Sequence, residues 1–412
     1  MRKRKSSRGP APRPPIRARD IQGLKHFRAI RDLLASLHEH KDGANRKLHY
    51  DELAALVLLH FYNPVLTGLR AIQQASGLRQ VQKKLRLGRA SLGSLSESSR
   101  VFDAQLLQEV AAELAGHVLD ADAPERPPGL DKDLALVAVD GTLLKALPRM
   151  AWALWIDKDH HAAKLHVEFD LLRSAPRALA VTQANGNERD VLRHALEAGK
   201  LYALDAGYAE YNLLERIRQA GSSFVARLRD NAVYETQQER PLTGADREAG
   251  VLWDRRVRLG CSTKRGDLAG PVRVVAVHVK LPPRGNLARR PSRVSSKKTF
   301  RRRPEEMDLL LVTDRMDLAA QDVALLYRRR WLIELFFRWF KCTLRFGRLL
   351  FESPNGVEIL VYCALIASMV ISLWTGRKPT KRTLEMVQLY FQGWAELDEL
   401  EAHIASLEKA VA

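Results

Sequence analysis

Two runs of apolar residues in this chain end on a carboxylate, and they restrict the fold more than any other feature. LALVAVD (residues 134–140) has no polar side chain before Asp140, and YALD (202–205) ends on Asp205 in the same way. A continuous apolar run of this kind is typical of a strand buried on both faces, which requires helices on both sides of the sheet. The chain is therefore predicted to be an α/β protein that presents acids at the ends of buried strands.

Further strands and helices are predicted around these runs. Residues 164–172 alternate between apolar and polar side chains, whereas ALAVT (178–182) and FVARL (224–228) are short and mostly apolar, so each predicts a strand. Amphipathic helices are predicted at 188–198 and 211–220. The alternation of strands and helices supports the α/β assignment.

A helical region is predicted before the strands, over residues 21–122, and a proline-rich linker at 121–133 follows it. Within the helical region, Ser and Gly residues divide 66–100 into three short helical pieces that carry seven bases and one acid, Glu97. Two interpretations fit this segment. It is either a helix-turn-helix that places a basic helix in a DNA groove or a small helical bundle with a basic face.

Residues 232–308 are predicted to be a β-rich insertion, and their end is strongly basic. Residues 281–304 contain nine Lys or Arg, four prolines and no acid, and the predicted disordered tail, 1–20, contains eight bases and no acid before Asp20. Residues 1–19 and 281–304 together hold 17 of the 19 net positive charges. They are interpreted as flexible contacts to a polyanion, because neutralising phosphates releases counterions and needs no fixed geometry. A solvated tail and loop is the alternative.

Several classes of protein are not supported by the sequence. The three cysteines are far apart and lack metal-ligand spacing, which argues against disulfides and a zinc cluster. No apolar segment follows the basic N-terminus, so a secretory signal is not predicted. The longest apolar run, 359–374, is shorter than the ~20 residues of a membrane span and is predicted to be a buried helix. A soluble, cytoplasmic protein with no membrane contact is expected.

The histidines His160, His161 and His166 form the one other cluster that could suggest a metal site. They have no cysteine partners and no helical HExxH frame, so ordinary structural or solvent-facing roles are favoured over metal binding.

The segment YRRRWLIELFFRWFK (327–341) contains a single acid, Glu334, among many bases. If the segment is one helix, Tyr327, Arg330, Glu334 and Lys341 lie within a sector of about 60°, with Arg338 beside them. Glu334 could simply be neutralised by Arg330 and Arg338, four residues away on either side. Alternatively, Glu334 converges with the two strand-end acids, in which case divalent cations would have to offset the repulsion while the bases hold a phosphate backbone.

Three short motifs carry a family resemblance. Tyr327, Arg330, Glu334 and Lys341 spell Y-x2-R-x3-E-x6-K, which resembles the YREK signature of a group of bacterial insertion-sequence DDE transposases. DAGY (205–208) is similar to the D-R-G-Y box around the second aspartate of that group, with Ala206 in place of Arg. VDGT (139–142) resembles the box around the first aspartate.

This resemblance implies an RNase H-like catalytic core in two parts, 123–231 and 309–375, interrupted by the β-rich insertion and followed by a C-terminal helical region, 376–412. It implies that Asp140, Asp205 and Glu334 bind two Mg²⁺ ions, with Mn²⁺ as a substitute. The DNA-binding residues that it implies are Tyr327, Arg330, Arg338 and Lys341.

The reaction implied is cleavage of double-stranded DNA at the element's ends by water and transfer of the freed 3′-OH to target DNA. In some members a flipped base stacks on a tryptophan of the insertion, and Trp253 is the candidate here. A non-catalytic DNA-binding regulator and an RNase H-like nuclease that cuts without joining remain as alternatives.

Paired-end chemistry would need two subunits, so a homodimer on DNA is expected. Near the C-terminus, apolar residues follow a 3-4-3-4 spacing typical of a coiled-coil stripe, at Leu397, Leu400, Ile404, Leu407 and Val411. This stripe is predicted to be a subunit contact, with a helix packed on its own core as the alternative.

Overall fold

The computed structural model describes most of the chain between residues 47 and 409. The described residues are 34, 37, 47–117, 126–145, 150, 152–153, 161–260, 268, 270–280, 306–344, 349–375 and 379–409. Both basic segments, 1–19 and 281–304, lie outside the described residues, and so does His160.

Nine described strands form one mixed sheet with the order β3-β2-β1-β4-β5-β9-β8-β7-β6. The strands are β1 (Ala135–Lys145), β2 (Ala162–Asp170), β3 (Ala175–Gln183), β4 (Lys200–Leu204), β5 (Ser223–Arg227), β6 (Tyr234–Arg240), β7 (Val251–Leu259), β8 (Val272–Lys280) and β9 (Glu306–Thr313). Strands β1, β4 and β5 are parallel, and every other neighbouring pair is antiparallel. The α/β prediction is confirmed.

The two apolar runs that end on Asp140 and Asp205 are strands buried inside the protein. All five residues of β4 are buried, and so is β1 from Leu136 to Val139, because both strands lie inside the sheet and are covered on both faces. Asp205 directly follows β4, as predicted. Asp140 does not end β1, which continues to Lys145 in antiparallel pairing with β2. The parallel pairing with β4 ends at Ala138, so Asp140 lies just beyond the point where the two strands separate.

The predicted β-rich insertion contributes strands to the same sheet. Strand β9 pairs with β5 on one side and β8 on the other, and β7 and β6 continue the sheet outward. A buried ion pair fastens this extension: the Arg273 guanidinium on β8 donates to Asp254 on β7 over 2.8 and 2.6 Å. The same guanidinium also donates to the Leu318 carbonyl, shortly before the helix that carries Tyr327.

The described helices fall into three groups along the chain. Before the sheet lie α1 (Tyr50–Tyr62), α2 (Leu69–Ser76), α3 (Arg79–Leu85), α4 (Leu92–Val101) and α5 (Gln105–His117). Between strands lie α6 (Glu188–His194), α7 (Tyr211–Gln219) and α8 (Gly244–Glu248). After the sheet lie α9 (Ala320–Arg329), α10 (Trp331–Leu344), α11 (Pro354–Thr375), α12 (Lys381–Phe391) and α13 (Leu397–Lys409).

The three short pieces predicted within 66–100 are α2, α3 and α4, and the breaks occur where Ser and Gly predict them. Helix α2 ends at Ser76, followed by Gly77, and the Ser91 hydroxyl accepts the N–H of Ser94 to cap α4. The side chains of Arg79, Lys83 and Arg86 are exposed in and after α3. The region therefore has an exposed basic face.

The long apolar helix α11 is a core element. It is long and apolar enough to cross a membrane, but 89% of its most apolar stretch is buried inside the protein. It packs against α1, α5 and β3, and the Tyr62 hydroxyl of α1 donates to the Ala367 carbonyl of α11 over 2.9 Å. The prediction of a buried helix here is confirmed.

The segment 327–341 is not the single helix that was predicted. Helix α9 ends at Arg329 and α10 begins at Trp331. Arg330 joins them, and its N–H bonds to the Tyr327 carbonyl over 3.1 Å in a tighter turn than an α-helix makes. Tyr327 and Glu334 therefore project from two helices, and a single helical wheel does not describe them.

The C-terminal stripe is also placed differently from the prediction. Leu400 is fully buried in the protein's own core, and Ile404 packs against the same core. The Leu407 side chain and Val411 lie outside the described residues. The assignment of Leu400 to a subunit contact is therefore wrong, because this chain already covers it.

Candidate active site

Asp140 lies where β1 separates from β4, with its side chain 26% exposed. Its Oδ1 accepts the N–H of Gly141 over 2.8 Å, and its Oδ2 is 3.9 Å from Nη1 of Arg330. Burial raises the pKa of Asp140 to about 6; the Gly141 N–H and Arg330 lower it, whereas Glu188 and Glu334 raise it. Asp140 is thus a partly buried acid close to two other carboxylates.

Asp205 begins the turn that follows β4, in which the Tyr208 N–H bonds to the Asp205 carbonyl over 2.9 Å. Its Oδ1 accepts a hydrogen bond of 3.3 Å from the Tyr327 hydroxyl on α9. Burial raises the pKa of Tyr327 to about 12, with Asp205 adding to the effect and Arg330 opposing it. Tyr327 therefore remains a protonated donor at neutral pH.

Glu334 occupies the first turn of α10 and accepts a hydrogen bond of 2.7 Å from Nη2 of Arg330. The Arg330 guanidinium is nearly buried and also lies 5.5 Å from the centre of the Tyr327 ring. One buried cation thus faces two of the three predicted acids. The two open interpretations of Glu334 both describe part of this arrangement, since Arg330 pairs with Glu334 and also lies 3.9 Å from Asp140.

Side chains at the α9–α10 junction contact each of the three predicted acids. Arg330 contacts Asp140 and Glu334, and Tyr327 contacts Asp205. Within the residues that the structure describes, no three acids, histidines or cysteines are close enough to bind a metal ion as they stand. Arg330 supplies the positive charge between the carboxylates. Arg338 and Lys341 are exposed farther along α10.

Three residues that the sequence did not single out also lie at this site. Glu188 begins α6, and a methyl group added at Gly141 would come within 2.9 Å of its Oε1. Lys164 on β2 makes an ion pair of 3.2 Å with the same carboxylate. Tyr208 is buried, and Glu188, Asp140 and Asp205 all help to raise its pKa after burial. Of these three residues, only Tyr208 belongs to a motif identified in the sequence, DAGY (205–208).

The remaining candidates have other partners. His166 is buried on β2 and its Nε2 lies 2.8 Å from the Thr182 hydroxyl, while Nδ1 of His161 lies 3.0 Å from the Met150 carbonyl. Trp253 on β7 is half-buried, with the Arg255 guanidinium 4.3 Å from its ring centre. Each histidine thus has a polar neighbour within the protein, and Arg255 covers one face of the Trp253 ring.

Comparison with known families identifies the chain. A family model described as "Transposase DDE domain" matches residues 131–370, which is more than half of the chain and includes every predicted site residue. The chain belongs to the DDE transposase domain family. The segment that the family model covers starts just before β1 and ends within α11.

Two proteins that are named as transposases are similar to parts of this chain. A protein named as a transposase, y4zB, from Sinorhizobium fredii is 29% identical over 212 residues, covering 51% of this chain and 52% of the relative. A protein of Geobacillus stearothermophilus, named as a transposase for insertion sequence element IS5377, is 25% identical over 270 residues, covering 63% of each. The chain thus spans 52% and 63% of the length of these two relatives.

One solved structure also aligns with most of the chain. It is a cryo-EM structure of the piggyBac transposase synaptic complex with hairpin DNA, with a TM-score of 0.37 and 11% identity, covering 93% of this chain and 81% of the other.

Proposed function

We propose that the protein is a DNA transposase that binds the ends of an insertion sequence, cleaves them by metal-dependent phosphoryl transfer and joins the 3′-OH to target DNA. The observation that carries the proposal is the convergence of Asp140, Asp205 and Glu334 on two side chains of the α9–α10 junction. Family membership supports the reaction type. Of the alternatives, a DNA-binding regulator would bind DNA without cleaving it, and an RNase H-like nuclease would cleave DNA without joining it to a target.

The strand order supports an RNase H-like core. The first five strands are arranged 3-2-1-4-5, with β4 and β5 parallel to β1 and the first three antiparallel. In this arrangement Asp140 and Asp205 come from neighbouring parallel strands, at the edge of the sheet where α/β proteins place their chemistry. The core would comprise 123–231 and 309–375, and 232–308 would extend its sheet.

The donor set fits hard divalent cations, because all three side chains are carboxylates. Asp140, Asp205 and Glu334 would hold Mg²⁺, or Mn²⁺ in its place. Bound there, such ions would neutralise the phosphate oxygens and lower the pKa of the attacking water. The Arg330 guanidinium would have to leave its position between Asp140 and Glu334, which frees it for a phosphate of the DNA.

The other predicted DNA-binding residues extend from this point along α10. Arg338 and Lys341 are exposed on the same helix as Glu334, so a DNA strand whose scissile phosphate lies at the acids would pass over both. Tyr327 would keep Asp205 oriented through its hydroxyl. Trp253 is the candidate for stacking on a flipped base, provided that the Arg255 side chain moves away.

The helical region before the sheet would bind double-stranded DNA through the exposed bases of α3 and its neighbours. Two copies of the chain would be needed to hold two ends, so a homodimer on DNA is part of the proposal. Because Leu400 is covered by its own core, the subunit contact would have to use another surface.

The test is excision of a marked element in bacterial cells. A selectable marker is placed between the DNA segments that flank the gene, and the protein is supplied from a separate plasmid. Wild-type protein is expected to excise and reinsert the marker, and Glu334→Gln to do neither at equal protein levels. Cutting without reinsertion would favour the nuclease alternative, and DNA binding without cutting would favour the regulator.

A further inference from the structure

We propose that Glu188 is a fourth carboxylate of this site, binding a divalent cation together with Asp140, and that the Tyr208 hydroxyl positions it. The inference rests on the proposed function, because it concerns the same cation site. It adds two residues that lie outside the three-acid signature, one at the start of α6 and one in the turn after β4.

The first observation is the proximity of Glu188 to Asp140. The Glu188 carboxylate lies against Gly141, so closely that a Cβ at this position would meet its Oε1 at 2.9 Å and its Cδ at 3.2 Å. Because Gly141 has no Cβ, the Glu188 carboxylate can lie this close to the backbone of β1. Glu188 therefore faces the strand next to Asp140, and it raises the pKa of the Asp140 carboxyl more than Glu334 does.

The second observation is the buried hydroxyl of Tyr208. Its side chain is only 2% exposed, and its hydroxyl has no hydrogen bond of normal geometry among the described residues, although the Glu188 carboxylate is close enough to act on it as a hydrogen-bond partner. A buried donor left without an acceptor destabilises the fold, so an acceptor is expected to satisfy it when the site is occupied. After burial, the influences that raise the pKa of Tyr208 are Glu188, Asp140 and Asp205, so the hydroxyl lies among these three acids. It is placed to donate to Glu188 once the carboxylate turns toward Asp140.

The third observation is that protein cations occupy the positions where a bound ion would be needed. Lys164 makes a 3.2 Å ion pair with Glu188, just as Arg330 bonds to Glu334 and faces Asp140. A purely structural Glu188 would be explained by the start of α6, where an acid stabilises the helix dipole. Stabilising the helix dipole does not explain why the Glu188 carboxylate lies against Gly141, or why the buried Tyr208 hydroxyl lies near it without a hydrogen bond of normal geometry.

The experiment measures Mn²⁺ binding to the full-length protein by electron paramagnetic resonance, with Mn²⁺ alone as the probe. Glu188→Gln is expected to weaken binding about 10- to 100-fold, and Tyr208→Phe about tenfold, as removal of supporting groups commonly does at metal sites. The matched control is Glu210→Gln, because the Glu210 carboxylate pairs with Arg189 and Arg193 of the same helix α6 and undergoes the same charge change. Its affinity should stay within twofold of wild type.

Each outcome decides between distinct explanations. Wild-type affinity in Glu188→Gln, together with lost affinity in Asp140→Asn, overturns the inference and leaves the proposed function standing. Unchanged affinity in both overturns the cation site altogether. Equal weakening by Glu188→Gln and Glu210→Gln assigns the effect to the packing of α6 and also overturns the inference. If Glu188→Gln does not fold, Glu188→Asp takes its place, because it keeps the charge and shortens the side chain. Wild-type Mn²⁺ affinity in both Glu188→Asp and Tyr208→Phe would then contradict the proposal.

Discussion

At the scale of single residues, Arg330 organises the candidate site. Its guanidinium is nearly buried at the junction of two helices, where it donates to Glu334 and lies 3.9 Å from Asp140. Burying a cation is costly unless it is paired, and here carboxylates provide the pairing. The same contacts keep two acids close together before any substrate or ion binds, so the site is assembled by the folded chain itself.

Tyr327 should contribute to the reaction by orienting Asp205. In Tyr327→Phe the ring remains and the hydrogen bond of 3.3 Å to Asp205 is lost, which corresponds to about 1–1.5 kcal/mol. We expect DNA strand cleavage to slow about tenfold, with DNA affinity within twofold of wild type. The control is Tyr234→Phe, on β6 far along the sheet. Equal rates for Tyr327→Phe and wild type would remove the orienting role.

His166 should make the fold sensitive to acid. Burial lowers its pKa from 6.5 to about 4, although Glu188 opposes the shift. The unfolded chain therefore takes up the proton first as the pH falls, and stability is lost from about pH 6.5 down to about pH 4. By pH 5 the loss from this residue should be about 2 kcal/mol.

The measurement compares urea unfolding midpoints at pH 7.5 and pH 5 for wild type and His166→Gln, whose amide can still reach the Thr182 hydroxyl. The variant should lose less stability than wild type over this interval. Identical losses in both proteins would mean that His166 titrates normally in the folded state.

At the scale of elements, the sheet extension positions the helix that carries Tyr327. The Arg273–Asp254 pair joins β8 and β7, and the Arg273 guanidinium also donates to the Leu318 carbonyl. Oδ1 of Asp246 accepts the N–H of Gln321 in the first turn of α9. Residues of the extension thus fix the start of α9 from two directions. The end of α9, with Tyr327 and Arg330, lies at the acids.

Breaking the buried pair should therefore destabilise the protein strongly. Asp254→Asn leaves the Arg273 guanidinium, which is 1% exposed, without its counter-charge, and we expect a loss of about 3–5 kcal/mol in the free energy of unfolding. The matched control, Glu239→Gln, removes a carboxylate from an exposed pair with Arg255 and should cost less than about 1 kcal/mol. Similar unfolding midpoints for the two variants would contradict this account of the extension.

The sequence predicted the elements whose burial is complete and missed those that depend on distant contacts. Uninterrupted apolar residues identify β4 and most of β1, because a strand covered on both faces cannot carry polar side chains there. The break at Arg330 has no Gly or Pro to mark it, and the signature spacing fits a continuous helix equally well. Glu188 was missed because an acid that begins a helix needs no further explanation until its distance from Gly141 is known.

At the scale of the whole molecule, α11 joins the helical region to the sheet. The Asn355 amide at its start donates to the Ser99 and Phe102 carbonyls and accepts the Ala104 N–H, while the Tyr62 hydroxyl bonds to its middle. The basic helices and the candidate active site are thus parts of one packed unit. DNA bound by the first would be held in a fixed relation to the second.

If Asp140, Asp205 and Glu334 act together in DNA cleavage, strand cleavage by purified protein should depend on all three. The substrate is a linear duplex that contains the DNA flanking the gene, in Mg²⁺ buffer, with binding measured on the same samples. Asp140→Asn, Asp205→Asn and Glu334→Gln should each bind the duplex like wild type and cut it at least about a thousandfold more slowly, corresponding to about 4 kcal/mol of transition-state stabilisation. The exposed Asp190→Asn on α6 is the control and should cut normally. Cleavage at near wild-type rate by any one of the three variants would contradict the account.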